Sequence, residues 1–215
     1  MPCSQLDHIT ISALSLAAGV EYVRETLGIT PQFGGEHSRM GTHNCVLKLG
    51  ETVYLEVMAI NPDAQRPDRP RWFQLDEPDP NRPVRLAAWA VRTDDIQAAV
   101  AASPVALGNV EPMSRGKIHW LISIPKDGRP AFQGVAPTLI QWPAGTHPTN
   151  TLADSGCFLT RLEGFHPQAE KVRSLLQAIG FEGNFHVSSL PSGEQAYLVA
   201  HIQTPAGPRQ LGSAV

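Results

Sequence analysis

The chain has 215 residues, 42% of them hydrophobic and 17% charged, a balance that excludes a disordered tail and allows one large domain or several small modules with their own cores. Its net charge of −3 comes without a basic block, which argues against a nucleic-acid partner and makes a small-molecule ligand the expectation. No stretch approaches the roughly 18 uninterrupted apolar residues of a membrane span, and Met1 to His8 carry no leader pattern, so no membrane contact and a cytoplasmic location are expected.

Leu6–Ser12 alternates β-branched and polar residues, as a half-buried strand does. A helix follows, with Ser15 as its cap, Leu16, Val20, Val23 and Leu27 on one stripe, and Gly28 at the left-handed stop. Three strands are predicted next, near Thr30–Phe33, Asn44–Leu49 and Thr52–Ile60, with Gly50-Glu51 as a tight turn. The unit reads β-α-β-β-β. From Asn61 to Pro83 the chain turns rich in Pro, Asp and Arg and reads as a linker, in which Trp72 and Phe73 mark a segment tacked onto a core.

The pattern then restarts. Arg85–Arg92 reads as a strand, and Thr93 or Asp94 can cap a short helix carrying Ile96, Ala99 and Val100. Strands follow near Val110–Met113, Lys117–Ile124 and Pro137–Trp142. Repetition of element order and chain length is the strongest architectural signal. A third round follows Pro148: a strand at Cys157–Leu162, a helix with Val172, Leu175, Leu176 and Ile179 on one stripe and Gly180 at its end, then strands near Phe185–Ser189 and Gln195–Gln203, with a turn and short end after Thr204. The division is therefore 1–60, first βαβββ module; 61–83, linker; 84–147, second module; 148–215, βαββ extension. Cys3, Cys45 and Cys157 lack paired spacing and are read as free thiols, Cys45 as a core residue.

The opening strand carries Leu6-Asp7-His8-Ile9 and the fourth carries Tyr54-Leu55-Glu56-Val57, so a His and a Glu stand on the first and last strands of one module. With Gly34-Gly35-Glu36-His37 and Gly41-Thr42-His43-Asn44, this resembles the vicinal-oxygen-chelate superfamily, and within it a glyoxalase-like subgroup with a GTHN motif. The resemblance implies an α+β fold of repeated βαβββ modules whose curved mixed sheets form a cup. It also implies a divalent metal (Zn, Fe, Mn or Ni) held by His8 and Glu56, which would stabilise negative charge on substrate oxygens. The second module departs from this pattern, offering Ala88 or Trp89 and Gln141 followed by Trp142 at the ligand positions, so His37, His43 and His119 are the candidates to complete a metal shell.

The glycine-rich segment reads as a bent loop able to close over a ligand, with His37 and His43 as candidate catalytic residues and Thr42 and Asn44 as substrate contacts; the alternative is a connection that bonds its own backbone. Arg115 is a candidate for binding an anionic group, and Trp89, Trp120 and Trp142 for an aromatic wall or for core. His147, His166, His186 and His201 are assigned structural or surface roles. No nucleotide cofactor is expected, because neither a Walker loop nor a Rossmann glycine pattern occurs; G-x-S-x-G and H-E-x-x-H are absent too. Three functional readings follow: a metal-dependent isomerase/lyase or dioxygenase acting on a small oxygen-rich metabolite, a metal-free binding protein of the bleomycin-resistance type, and an interaction protein forming a homodimer.

Overall fold

The structure is a computed structural model that describes residues 3–77 and 84–212; the end of the expected linker, 78–83, lies outside the described residues. The first unit runs β1 (Ser4–Ser12), α1 (Leu16–Leu27), β2 (Gln32–His37), β3 (Thr42–Lys48) and β4 (Tyr54–Ile60). The second runs β5 (Arg85–Thr93), α2 (Ile96–Ala102), β6 (Asn109–Arg115), β7 (Ile118–Ile124) and β8 (Thr138–Gln141). These eight strands form one sheet in the order β2-β3-β4-β1-β5-β8-β7-β6, joined at its middle by antiparallel pairing of β1 with β5. The expected α+β architecture of paired modules in a cup is the one observed.

The cup closes because its two edges meet. Strands β2 and β6 approach one another, and Arg39, in the β2–β3 turn, donates to Pro112 O at 2.8 Å and pairs with Glu111. Both helices lie outside the cup. Ser15 accepts from Ala18 N at 3.2 Å and caps α1, and Gly28 ends it at φ 76°. On α2 the cap is Asp95, which accepts from Ala98 N at 2.9 Å; Thr93 is still in the strand and Asp94 falls one residue early.

The third unit comprises β9 (Phe158–His166), α3 (Ala169–Ala178), β10 (Phe181–Glu182), β11 (Phe185–Ser189), β12 (Tyr197–Thr204) and β13 (Gly207–Leu211). Here β10 adds to β1, and the others form a second sheet, β11-β9-β12-β13. Of the ordered or frayed end that the turn after Thr204 allowed, the ordered one is observed: the turn at Pro205 and Ala206 folds β13 back on β12. The second sheet covers the back of the cup. Trp89 of β5 is the link: its ring stacks on Phe185 at 4.4 Å, and its indole donates to Val135 O at 2.9 Å.

The segment between the modules returns into the cup. Trp72 is buried there beside Met58, Trp120 and Ile140. Phe73 and Gln74 both sit at φ 58°, a left-handed conformation costing roughly 1 kcal/mol or more per non-glycine residue. The second module repeats the device, with Phe132 at φ 50° and Gln133 at φ 56°. The buried guanidinium of Arg71 secures the first strap by bonding Asp76 at 2.5 Å and Gly41 O at 3.3 Å. Among the described residues, no helix is long and apolar enough to cross a membrane.

Trp89 is 1% exposed and welds cup to second sheet. Trp89→Ala is expected to cost about 3–5 kcal/mol, as large-to-small changes of buried aromatics do, read as a lower denaturant midpoint at unchanged slope. An unshifted midpoint would show that the second sheet does not depend on this ring.

Candidate functional site

Pleating sets which side chains enter the cup. Strands β1 and β4 run parallel in the register His8–Tyr54 and Thr10–Glu56, so these four residues share the inner face, with Met58 following. Opposite them, β5 and β8 present Ala88, Ala90, Thr138 and Ile140. His37 and Arg115 occupy equivalent places as the last residues of β2 and β6, and both line the same cavity. Trp72, Phe73, Trp120 and Trp142 complete a lining around about 30 Å³, room for two or three water-sized groups.

At the polar end lies a buried charge network. Asp7, fully buried, is the extra residue of a β-bulge: register passes from Leu6–Val91 directly to His8–Ala90. The bulge brings neighbouring side chains together, and His8 Nδ1 donates to Asp7 Oδ1 at 2.6 Å. The other carboxylate oxygen accepts from the Trp142 indole at 2.9 Å and from His147 Nε2 at 3.0 Å. With Nδ1 bonded to a carboxylate, His8 presents Nε2 to the cavity, 3.9 Å from Glu56 Oε2. Its ring stacks on Tyr54 at 4.7 Å.

Burial by itself would raise the pKa of Asp7, yet the hydrogen bonds from His147 and His8 and the electrostatic attraction of the two rings hold it well below the usual carboxylate range. Burial likewise pulls the His8 imidazole down, but Asp7 and Glu56 outweigh it and the net shift is upward. His37 lacks such a partner, and burial lowers it to about 4, so it is neutral at pH 7. Its Nδ1 lies 3.3 Å from Thr42 Oγ1 and its Nε2 4.0 Å from Glu56 Oε1.

Glu56 is held by the amide of Asn44. Arg115 Nη1 stands 4.0 Å from Glu56 Oε1, within ion-pair range but beyond hydrogen-bond reach. Arg115 Nε and the indole nitrogens of Trp72 and Trp120 have no hydrogen-bond partner among the described residues. Unpartnered buried donors are costly, so their convergence on one cavity points to a ligand rich in acceptor oxygens. Gly34 and Gly35 make room for this arrangement: a Cβ on Gly34 would fall on Asn44 Oδ1, and one on Gly35 would come within 2.8 Å of Arg115 Cγ.

Several sequence expectations take different places. The segment read as a bent loop is a β2–β3 hairpin, with only Ser38–Gly41 in the turn. His43 consequently stands on the face of β3 shared with Cys45 and Leu47 and does not line the cavity. Thr42 and Asn44 support His37 and Glu56 from behind. Trp89 borders the cavity, but its ring packs into the outer core. Trp142 lies just past β8, Trp120 remains in the aromatic wall, and His119 is exposed on the other face of β7. His147 and Asp7 were missed as site residues; the adjacent Asp7-His8 pair carried a signal, whereas His147 carried none.

A family model described as a glyoxalase-like domain matches residues 6–180. The chain belongs to the glyoxalase-like domain family. That places it in the vicinal-oxygen-chelate superfamily, as the fold does. Among solved structures, a hypothetical protein from Staphylococcus aureus is similar at 12% identity over 87% of this chain and 86% of that one, with a TM-score of 0.61, a likeness of fold. A Streptomyces coelicolor methylmalonyl-CoA epimerase is 24% identical over 65% of this chain and 97% of its own, at 0.45. A 4-hydroxymandelate synthase from the same organism is 15% identical over 98% and 63%, at 0.47. None of the curated proteins matches the chain significantly.

The family's divalent metal does not fit this donor set. The facing strands offer alanine, threonine and isoleucine, and among the described residues no three His, Cys, Asp or Glu side chains are placed to share an ion. Arg115 already sets a positive charge beside Glu56.

Neutral, buried His37 fixes the sign of one pH effect. Between its ordinary value of 6.5 and about 4 the unfolded chain binds a proton that the folded chain refuses, so stability falls as pH drops through that window, by about 3 kcal/mol. His37→Gln should lose correspondingly less stability than wild type in urea melts at pH 4.5 against pH 7. Equal losses would contradict the assignment.

Proposed function

We propose that this glyoxalase-like protein is an enzyme that moves a proton on a small oxygen-rich, anionic metabolite, an isomerase or lyase working without a divalent metal, with His8 as the group that carries the proton. The observation behind it is the Asp7–His8 pair at 2.6 Å, which leaves Nε2 facing a cavity that Arg115 also lines. An imidazole so oriented by a carboxylate is the usual equipment of a general base, and Asp7 and Glu56 shift its pKa upward against the burial that would lower it.

In this reading His8 Nε2 removes a proton from a carbon next to a carbonyl or carboxylate. The negative charge that develops on the substrate oxygen faces the Arg115 guanidinium, whose Nε has no hydrogen-bond partner among the described residues, and the equally unpartnered indole N–H of Trp120, which is where preorganised electrostatics contribute most. Returning the proton to another position gives an isomerisation, and expelling a neighbouring group gives a lyase reaction. Glu56, 3.9 Å from His8, accepts a hydrogen bond from a substrate hydroxyl, and neutral His37 borders the same space. Trp72, Trp120, Trp142 and Met58 hold the apolar part and exclude water. Dioxygenase chemistry finds no metal shell among these residues, so no oxygen-activating step is assigned.

The lack of metal-ligating side chains among the residues that β5 and β8 turn to the cavity favours a second reading, a metal-free binding protein that holds its ligand without turnover. Proton exchange separates the two. In heavy water, small 2-oxo acids are expected to gain deuterium at C3 and 2-hydroxy acids at C2 with wild-type protein, read by NMR. That rate should fall by about 10²-fold or more in His8→Ala and be unchanged by chelator. Ligand-induced thermal stabilisation without exchange would favour the binding protein, and exchange that chelator abolishes and added metal restores would overturn the metal-free mechanism.

A further inference from the structure

Outside the cavity, a polar groove of about 360 Å³ opens along the ends of β1, β5 and β8, and Trp142 and His147 form part of its lining. Trp142 also lines the buried cavity, so it stands in the wall between the two spaces. His147 belongs to the chain just before the 3-10 turn Pro148–Asn150 and reaches Asp7 from there. Its tautomer follows from its partners. A carboxylate only accepts, so Nε2 carries a proton and donates it to Asp7 Oδ2 at 3.0 Å, while Nδ1 meets Thr149 Oγ1 at 2.7 Å and Thr149 N at 3.3 Å.

Asp7 therefore has a division of labour between its two oxygens. One serves His8. The other is filled by two donors from the far end of the second module, Trp142 Nε1 and His147 Nε2. A carboxylate whose second oxygen is saturated cannot rotate about its Cβ–Cγ bond without breaking both bonds in a site with no water to replace them, since Asp7 is fully buried. Holding that rotation fixes the oxygen offered to His8.

We propose that His147, with Trp142, is a positioning residue: by clamping the outer oxygen of Asp7 it locks His8 in the Nδ1–H tautomer and so keeps Nε2 free to act in the cavity. His147 touches neither substrate nor the reacting atoms; it acts through Asp7 from a ring whose side chain is 16% exposed. The inference rests on the reading of His8 as proton carrier and adds that the second module sets the state of a residue on the first. The Asp7–His147 pair spans the wall between groove and cavity, so a change in the groove at His147 reaches the buried site without any backbone motion.

The test is a long-range ¹H–¹⁵N NMR correlation on protein carrying ¹⁵N-labelled histidine, with His8 signals identified by their loss in His8→Gln. Wild type, recorded at a pH above the His8 titration followed in the same spectra, should show widely split His8 nitrogens, Nδ1 protonated and Nε2 not. In His147→Ala and in the His147→Ala/Trp142→Phe double variant the two signals should converge as tautomers average. His147→Gln, whose amide can still donate to Asp7, should preserve the split, and it remains informative should the alanine variants fold poorly. A merely structural His147 would lower the melting temperature and leave the His8 signals in place, which overturns the proposal while leaving the role of His8 intact. A wild-type spectrum without the Nδ1–H tautomer would sink both.

Discussion

A single buried carboxylate organises the inner end of this molecule. Asp7 has no exposure to solvent and accepts from three donors drawn from the two ends of the cup: His8 beside it, and Trp142 and His147 from beyond β8. Removing a charge from water costs several kcal/mol, and it is tolerated here because every donor is directed at one of its two oxygens. The bulge at Asp7 is the backbone feature that makes this feasible, since on a regular strand successive side chains would face opposite sides of the sheet. Orienting His8 and tying Trp142 and His147 to β1 are thus consequences of the same interaction.

Around it the cup is uneven. The first module contributes His8, Glu56 and His37, and the second contributes Arg115, three of the four corners being ionisable groups from one side. Where the family places metal ligands on the second module, β5 and β8 carry small and apolar residues, and the positive charge comes instead from a guanidinium at the end of β6. Arg115 and His37 hold equivalent positions in the two repeats, so an imidazole on one side corresponds to a fixed cation on the other. The proposed proton chemistry draws on these side chains alone: His8 oriented by a carboxylate, a guanidinium beside Glu56, and indole N–H groups without a partner among the described residues.

The parts of the fold that were legible in the sequence are those with local causes. Ser15 and Gly28 bracket α1 by capping chemistry, alternation marks β1, and β4 places Glu56 beside β1 once the two strands are recognised as neighbours. Other features depend on partners far along the chain. Gly34-Gly35 looks like a loop because glycine usually is one, but here the glycines lie in a strand where Asn44 and Arg115 cross over the backbone; that misreading put His43 in the site. Trp89 sits in the run Leu86-Ala87-Ala88-Trp89-Ala90-Val91, apolar on both faces, and nothing in such a run tells which side its ring takes. Among the described residues His147 finds its carboxylate partner on β1, and no spacing rule connects them.

The central claim is that positive charge and proton transfer in this cavity come from Arg115 and the Asp7–His8 pair rather than from a bound metal. Elemental analysis of untagged native protein, purified without chelators and run beside His8→Ala and Glu56→Ala, tests it most directly. The account predicts less than stoichiometric metal in all three, with no difference between wild type and variants. One equivalent of a divalent metal in the wild type that disappears in His8→Ala would contradict it.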